Sequence, residues 1–233
     1  MTRVDKQPAF VLHRRAFRDT SLTIELFSQQ YGRVAAVARA ARAPKSPFFG
    51  LGEPFRALEV GWIRRGEMAT LVSIDPLERS FRLVGRALWC GLYANELLIR
   101  LLPRDDPEPE LFQAYARVLS MLSDERHQAH ALRQFELALL TGLGVAPDLS
   151  RCADAGAPVE PGLYYSIDPV IGPRPVAGPQ SGFPGRVLLA LADGTRLSQQ
   201  DARKARVLMR QLIDCQLDGR ALKTPALFRE SGA

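Results

Sequence analysis

The chain has 233 residues, of which 46% are hydrophobic and 24% charged, and its formal net charge is +6. These values are ordinary for a soluble globular protein of one large or two small domains, and no apolar run approaches the roughly 18 residues of a membrane span. We see no signal peptide and expect a cytoplasmic protein, in which three widely spaced cysteines imply no disulfide framework.

Five β-prone segments occupy the first 75 or so residues. Leu22, Ile24 and Leu26 alternate with Thr23, Glu25 and Phe27, which is the period of a half-buried strand. The predicted strands are residues 9–13, 22–27, 33–39, 55–63 and 69–74, with a loop over 14–20, turns at 29–32 and 64–67, and a Pro- and Gly-containing loop over 42–52. Five short strands separated by turns are typical of a small closed barrel.

The periodicity becomes helical from Phe81. Broad apolar stripes predict core helices over residues 81–101, 111–122 and 130–143, with an acidic connector at 103–109. The acids Asp105 and Asp106 fit a solvated loop better than a general acid/base pair. Gly142 and Gly144 end the third helix. The short connections imply that these helices are packed neighbours.

The last third of the chain has two parts that differ in composition. Residues 151–186 are rich in Pro and Gly and predict an irregular segment or long loop. A helix over 198–217 follows, with Ser198 as N-cap and Asp201 at the capping-box position. We therefore predict an α+β protein with a barrel domain over residues 1–79 and a helical domain over 80–233.

Basic residues in and around the first strands give the strongest functional signal. Residues 1–80 carry a net charge of +5, and the span from Ala9 to Lys45 contains only two acids, Asp19 and Glu25. Arg binds phosphate well through its planar fork, although Arg-rich codon usage would give the same bias. The candidates for nucleic-acid contact are Arg14, Arg15, Arg18, Arg33, Arg39, Arg42, Lys45, Arg64 and Arg65.

Aromatic residues lie among these cations, namely Phe17, Phe27, Tyr31, Phe48 and Phe49. Single-stranded nucleic acid is commonly held by a basic groove with rings that stack on bases. The alternative is that Phe17 and Phe27 belong to the core and that the arginines form a solvated face. The same alternative holds for the basic face of the 198–217 helix.

No catalytic or metal site can be assembled from the sequence. His127 and His130 are three residues apart but have no Cys or Glu pair at a companion spacing. Cys152 has no partner nearby for a zinc ribbon, and neither a phosphate-binding loop nor a nucleophile elbow is present. We expect no enzymatic activity, no metal and no cofactor.

The ordered set of motifs resembles the RecO recombination-mediator family of bacteria over nearly the whole chain. In the first half, the resemblance lies in Ala9–His13, Arg15, Thr20-Ser21-Leu22, Phe27, Gly32-Arg33-Val34, Ala38–Arg42, Pro54-Phe55 and Gly66-Glu67. Further along, it lies in Leu92-Tyr93-x-Asn95-Glu96-Leu97-Leu98, Leu132-Arg133-x-Phe135-Glu136-x-x-Leu139-Leu140, Gly142/Gly144 and Gly219-Arg220-x-Leu222-Lys223-Thr224.

This resemblance implies a five-stranded OB-fold barrel, a helical domain and a less regular C-terminal part. It implies a DNA repair and recombination protein, associated with the nucleoid, that binds single- and double-stranded DNA and anneals complementary strands. It also implies help in loading RecA onto strands coated by single-strand-binding protein, with RecR as a partner. Some members hold zinc with four cysteines after the third helix. Only Cys152 lies in that segment here, so the chain looks like the zinc-free branch.

The resemblance further implies that the acidic tail of single-strand-binding protein docks on the helical domain. Arg133, with Leu132 and Arg117, is our candidate for this contact, because a cation beside apolar side chains suits an acidic and aromatic tail. An ion pair of Arg133 with Glu136 is the structural alternative. For the protein as a whole, two other functions stay open: a protein–protein adaptor whose basic barrel binds an acidic partner, and a nuclease, which would need clustered carboxylates around a metal.

Overall fold

The computed structural model describes residues 1–154 and 156–230, which form two compact units. The first comprises Met1–Ser123 and the segment that begins at Lys223, and the second comprises Asp124–Leu222. Ala155 and the last three residues of the predicted helical domain lie outside the described residues. None of the described helices combines the length and the apolar composition that crossing a bilayer requires.

A five-stranded barrel opens the first unit. Its strands are β1 (Thr2–Phe17), β2 (Ser21–Ser28), β3 (Gly32–Ala38), β4 (Arg56–Arg64) and β5 (Ala69–Ser80). They close in the order β1-β2-β3-β5-β4; β3 and β5 pair parallel and all other neighbours pair antiparallel. This arrangement confirms the prediction of a closed OB-fold barrel.

The long first strand corrects one prediction. Residues 14–17, expected in a loop, continue β1 and pair with residues 21–24 of β2. The pairing explains the difference, because Arg14, Arg15, Ala16 and Phe17 satisfy their backbone groups on β2 while most of these side chains stay exposed. The register shifts between Val11 and His13, as in a β-bulge. Only Arg18, Asp19 and Thr20 remain as the turn between the two strands.

Alternation along β2 separates the inside of the barrel from its outside. Leu22, Ile24 and Leu26 belong to the apolar barrel core. Their neighbours Thr23 and Glu25 therefore point outward, as does Phe27. Phe27 is nevertheless fully buried, because a helix covers the outside of the barrel at this point.

The helices of the first unit are α1 (Gly85–Leu101), α2 (Pro109–Met121) and α6 (Thr224–Glu230). Phe112 on α2 lies 5.2 Å from Phe10 and 5.5 Å from Phe27 between ring centroids. Tyr115, one turn further along α2, makes edge-on contacts with the same two rings. This aromatic cluster covers part of the outer face of β1 and β2 and leaves the ends of those strands near residues 15–23 uncovered by it.

The second unit contains α3 (Glu125–Gly142), β6 (Tyr164–Asp168), β7 (Gly172–Val176), β8 (Phe183–Pro184), α4 (Gly185–Ala192) and α5 (Gln199–Gln216). Helix α3 begins before the predicted residue 130, because the side chain of Asp124 caps it by accepting from the Arg126 N–H. The region 151–186, predicted as irregular, contains a three-stranded sheet in the order β7-β6-β8. Its prolines interrupt the alternation of residues by which strands are predicted. Two of them, Pro173 and Pro175, lie within the outer strand β7.

Helix α5 confirms the predicted start. The Ser198 hydroxyl accepts a hydrogen bond from the Asp201 N–H at 3.2 Å. Both carboxylate oxygens of Asp201 accept from the guanidinium of Arg186 on α4. The Arg186 guanidinium is the main reason that the pKa of Asp201 lies below its usual value.

Candidate nucleic-acid interface

Seven of the nine basic candidates lie at two ends of the barrel. Pairing places Phe17 opposite Ser21, and Leu22 opposite Ala38, so the β1–β2 turn and the end of β3 are adjacent. We call this region the turn end; it contains Arg14, Arg15, Arg18, Arg39 and Arg42. Arg33 lies at the other end of β3, about 20 Å from Arg39 at ~3.3 Å per residue. Arg33 and Arg64 both contact the α1–α2 connector, and we call that region the connector end.

Arg15 lies on the open face of the turn end, and Arg39 follows the end of β3, two residues beyond Val37. Arg15 pairs with Thr23, which pairs in turn with Val37, so one row crosses the outer face of three strands. The row spans about 10 Å at ~4.8 Å between strands. Arg15 and Arg39 are both exposed, and neither forms an ion pair within the described part of the chain. Their guanidinium groups are therefore available to an anion.

Arg42 supports the turn between β1 and β2. Its backbone N–H donates to the Thr20 carbonyl at 2.8 Å, and its guanidinium donates to the carbonyls of Arg18 and Asp19. Arg18 has a φ of +50° and places its guanidinium 5.1 Å from the Phe17 ring centroid. Arg42 thus fixes the backbone that presents Arg18, while the Arg18 side chain stays exposed.

Arg14 and Lys45 are associated with the long β3–β4 connection, residues 39–55. Arg14 forms a 2.7 Å ion pair with Glu53 near the end of this connection. Lys45 is exposed near its middle, and no ion pair engages it within the described residues. The turn end therefore combines three accessible arginines with an accessible lysine on the adjoining connection.

The connector end differs from the turn end, because its arginines Arg33 and Arg64 already have carboxylate partners. Arg33 donates through Nε to the Leu102 carbonyl at 3.1 Å and lies 3.5 Å from Glu25. Glu25 is shared with Arg104. Burial lowers the pKa of the Arg33 guanidinium, and the Glu25 carboxylate opposes this shift.

The connector also makes close contact with the strand ends. Asp105 donates its backbone N–H to the Arg33 carbonyl at 3.0 Å, and its carboxylate lies 2.6 Å from the Arg64 guanidinium. Gly32, with a φ of +61°, lies so near Asp106 that a Cβ atom would be 1.9 Å from the Asp106 carbonyl oxygen. Arg65, in the β4–β5 turn, stays exposed. Sequence spacing does not predict these pairings, because Glu25 is 79 residues from Arg104 and Arg64 is paired with Asp105 of the connector.

The three residues proposed for a partner tail are distributed over both units. Arg117 is exposed on α2 in the first unit, and Leu132 is half-buried on α3 in the second. Arg133 is 8% exposed and donates through two nitrogens to both carboxylate oxygens of Glu136. The ion pair considered as the structural alternative is therefore present.

Metal-binding groups are sparse in the described part of the chain. No cluster of three or more His, Cys, Asp or Glu residues there could hold a metal ion. His127 instead contacts Asp124 through Nδ1 at 2.9 Å. Burial is the main reason that the pKa of His130 is lowered, and the nearby charge of Arg196 adds to the effect.

Comparison with known proteins identifies the same relatives for both halves of the chain. Residues 1–79 match the family model described as Recombination protein O N terminal, and residues 82–226 match Recombination protein O C terminal. Curated relatives named DNA repair protein RecO include those of Methylococcus capsulatus (41% identical, covering 99% of this chain and 95% of the relative) and Aromatoleum aromaticum (41%, covering 98% and 96%). Another, from Alkalilimnicola ehrlichii, is 42% identical and covers 98% of this chain and 92% of the relative.

Proposed function

Because the chain belongs to the RecO family of DNA repair proteins, we propose that it is a DNA-binding recombination mediator with no catalytic activity of its own. It binds single- and double-stranded DNA and anneals complementary strands. It helps load RecA onto strands coated by single-strand-binding protein, and RecR is its partner in that task.

The observation that carries this proposal is the group of accessible cations at the turn end. Arg15, Arg18 and Arg39 are exposed beside the β1–β2 turn, with Lys45 on the adjoining connection. OB-folds commonly bind oligonucleotides on the face of strands 2 and 3 and on the loop between strands 1 and 2. Cations in this position neutralise phosphates and release counterions, which gives affinity without sequence preference.

Three steps follow from this arrangement. The turn-end arginines hold the phosphate backbone of one strand. A second surface captures the acidic tail of the protein that already coats the strand. The bases of the held strand are then free to pair with a complement or to accept the recombinase.

A salt titration with a single-stranded oligonucleotide tests DNA binding at the turn end. The variant is Arg15→Ala with Arg39→Ala, and the charge-matched control is Arg3→Ala with Arg174→Ala, which removes two exposed arginines paired to Asp5 and Asp154. We expect the double variant to reduce the slope of log affinity against log salt by about 1.4, since each phosphate contact on single strands contributes about 0.7. The control should keep the wild-type slope.

Two results would overturn this proposal. An unchanged slope in Arg15→Ala with Arg39→Ala would remove the turn end as the DNA site. Wild-type protein that shows only weak DNA binding at low salt would favour the adaptor function, in which the basic barrel binds an acidic protein instead.

For the partner tail, we propose two separate candidate surfaces, one at Arg117 on α2 and one at Leu132 on α3. A tail carboxylate that binds Arg133 must replace Glu136, because that guanidinium is already paired. Anisotropy with a labelled acidic peptide ending in an aromatic residue and a free carboxylate tests both surfaces. Weaker binding in Arg117→Ala with unchanged binding in Arg133→Gln would assign the contact to α2, and the reverse would assign it to α3. Unchanged peptide binding in both variants would exclude both surfaces.

A further inference from the structure

We propose that Phe49 is a base-stacking ring that makes the DNA site prefer unpaired strands. The proposal rests on DNA binding at the turn end and adds the class of nucleic acid that the site selects. It assigns a separate function to each part of the site: the arginines bind any phosphate backbone, and the Phe49 ring distinguishes an unpaired base from a stacked one.

Phe49 is held in an exposed position by its own loop. Its side chain is 55% exposed, whereas Phe48 and Leu51 on either side pack against the barrel core. Successive turns fix the backbone between these anchors: the Phe49 N–H donates to the Ser46 carbonyl at 3.0 Å, and the Leu51 N–H donates to the Phe48 carbonyl at 3.2 Å. An apolar ring that the fold keeps in water while nearby apolar residues pack against the barrel is a candidate contact for a ligand.

The same connection is attached to the turn end at both of its ends. Arg42 donates hydrogen bonds to the backbone of the β1–β2 turn, and Glu53 forms an ion pair with Arg14. Gly52 lies so close to the barrel that a Cβ atom there would be 3.3 Å from Leu22 and 3.9 Å from Arg14. Phe49 is three residues before Gly52, so the two Cα atoms are within about 11 Å at ~3.6 Å per residue. The Phe49 backbone is therefore within about 11 Å of a residue that packs beside Leu22 and Arg14 at the turn end.

Stacking chemistry explains why this ring would select unpaired DNA. Every base has a π-face that can stack on an aromatic side chain, but in a duplex both faces are occupied by neighbouring bases. Phe17, the other aromatic residue near the turn, is half-buried and carries the Arg18 guanidinium at 5.1 Å. Phe49 is thus the more accessible of the two rings, and Lys45 on the same loop can hold the adjacent phosphate.

The test compares Phe49→Ala and Phe49→Leu with Leu77→Ala, which removes another exposed apolar side chain of the barrel. Affinities are measured for a single strand of about 15 nucleotides, the matching duplex, and a single strand of the same length that lacks bases. We expect both Phe49 variants to bind the single strand about fivefold more weakly or worse, since one stacked base contributes about 1–3 kcal/mol. Duplex affinity should change less than twofold, and Leu77→Ala should match wild type.

The strand without bases separates stacking from phosphate binding. Wild type should bind it more weakly than the ordinary strand, whereas Phe49→Ala should bind both alike. Unchanged single-strand affinity in Phe49→Ala, or equal losses on single strand and duplex, would overturn the stacking function while leaving the DNA-binding proposal intact. Wild-type protein that binds none of these nucleic acids would overturn both.

Discussion

Asn95 on α1 accepts a hydrogen bond from the hydroxyl of Tyr115 on α2, with 2.5 Å between the two oxygens. The Nδ2 of Asn95 donates to the backbone carbonyl of Leu12 on β1 at 2.8 Å. Both side chains are buried. One amide therefore joins two helices to the strand whose far end carries Arg15, and it fixes the helices to the outside of the barrel.

Asn95→Ala should destabilise the first unit by about 1–3 kcal/mol, because it leaves buried polar groups of Leu12 and Tyr115 without this partner. Both tryptophans, Trp62 and Trp89, lie in the first unit, so tryptophan fluorescence in a urea titration reports on that unit. Gln113→Ala, at an exposed position on α2, is the control and should unfold like wild type. Equal midpoints for Asn95→Ala and the control would contradict a supporting function of this amide.

Tyr115 should make stability depend on alkaline pH. Burial raises the pKa of its hydroxyl well above the usual value of 10.0, so the neutral group stabilises the fold fully below about pH 10, and the contribution is lost as pH rises from there towards the folded-state pKa. Tyr115→Phe should be less stable than wild type at neutral pH but should lose less stability between about pH 9 and pH 11. Parallel pH profiles for the two proteins would count against this assignment.

Arg33 on β3 and Arg39, which directly follows that strand, should give opposite results. Arg33→Ala breaks the half-buried pair with Glu25 and should lower stability by about 1–3 kcal/mol, with no change in the salt slope of DNA binding. Arg39→Ala should change stability by less than about 0.5 kcal/mol and reduce the slope by about 0.7. A reduced slope in Arg33→Ala would show that the connector releases this arginine to DNA.

Glu96 should couple acid pH to the attachment of the C-terminal segment. Its carboxylate accepts from the backbone N–H groups of Lys223 and Thr224 and from the Thr224 hydroxyl. Burial alone would raise the pKa of Glu96, but these hydrogen bonds outweigh it and leave the pKa below 4.5. The carboxylate therefore stabilises the fold above about pH 4.5, and this contribution is lost as pH falls through the lowered pKa.

Glu96→Gln is the matching variant, because it keeps the size of the side chain and removes the charge. Its deficit against wild type in urea unfolding should be present at about pH 6 and should shrink towards about pH 3. Glu67→Gln, an exposed position in the β4–β5 turn, controls for the loss of one carboxylate. A deficit of constant size across this pH range would show that the charge of Glu96 is not what attaches the segment.

Local patterns predicted most of the barrel and the long helices. Alternation such as that of Leu22, Ile24 and Leu26 is sufficient where one face of a strand is buried. It fails for residues 14–17 of β1, where Arg14, Arg15 and Ala16 are all exposed and no apolar alternation is present, and for β7, where prolines interrupt the pattern. Helix α4 was missed because its eight residues span about two turns, too few to show a clear period.

The sequence predicts which basic residues are candidates for the site, but not which of them are paired and which are accessible. The sequence shows that basic residues are concentrated around the first strands, but it cannot show which of them meet a carboxylate. Arg33 and Arg64 are neutralised by Glu25 and by Asp105 of a distant connector, whereas Arg15 and Arg39 have no such partner within the described residues. Such pairings depend on tertiary structure, so only the folded structure distinguishes the ion-paired arginines from the accessible ones.

The prolines of β7 affect how copies of the protein behave at high local concentration. An outer strand normally offers N–H groups that can recruit the backbone of a neighbouring molecule and start aggregation. Pro173 and Pro175 remove two of the five donors of β7, and the barrel has no free edge because it is closed. High local concentration should therefore favour contacts between folded surfaces over strand exchange between chains.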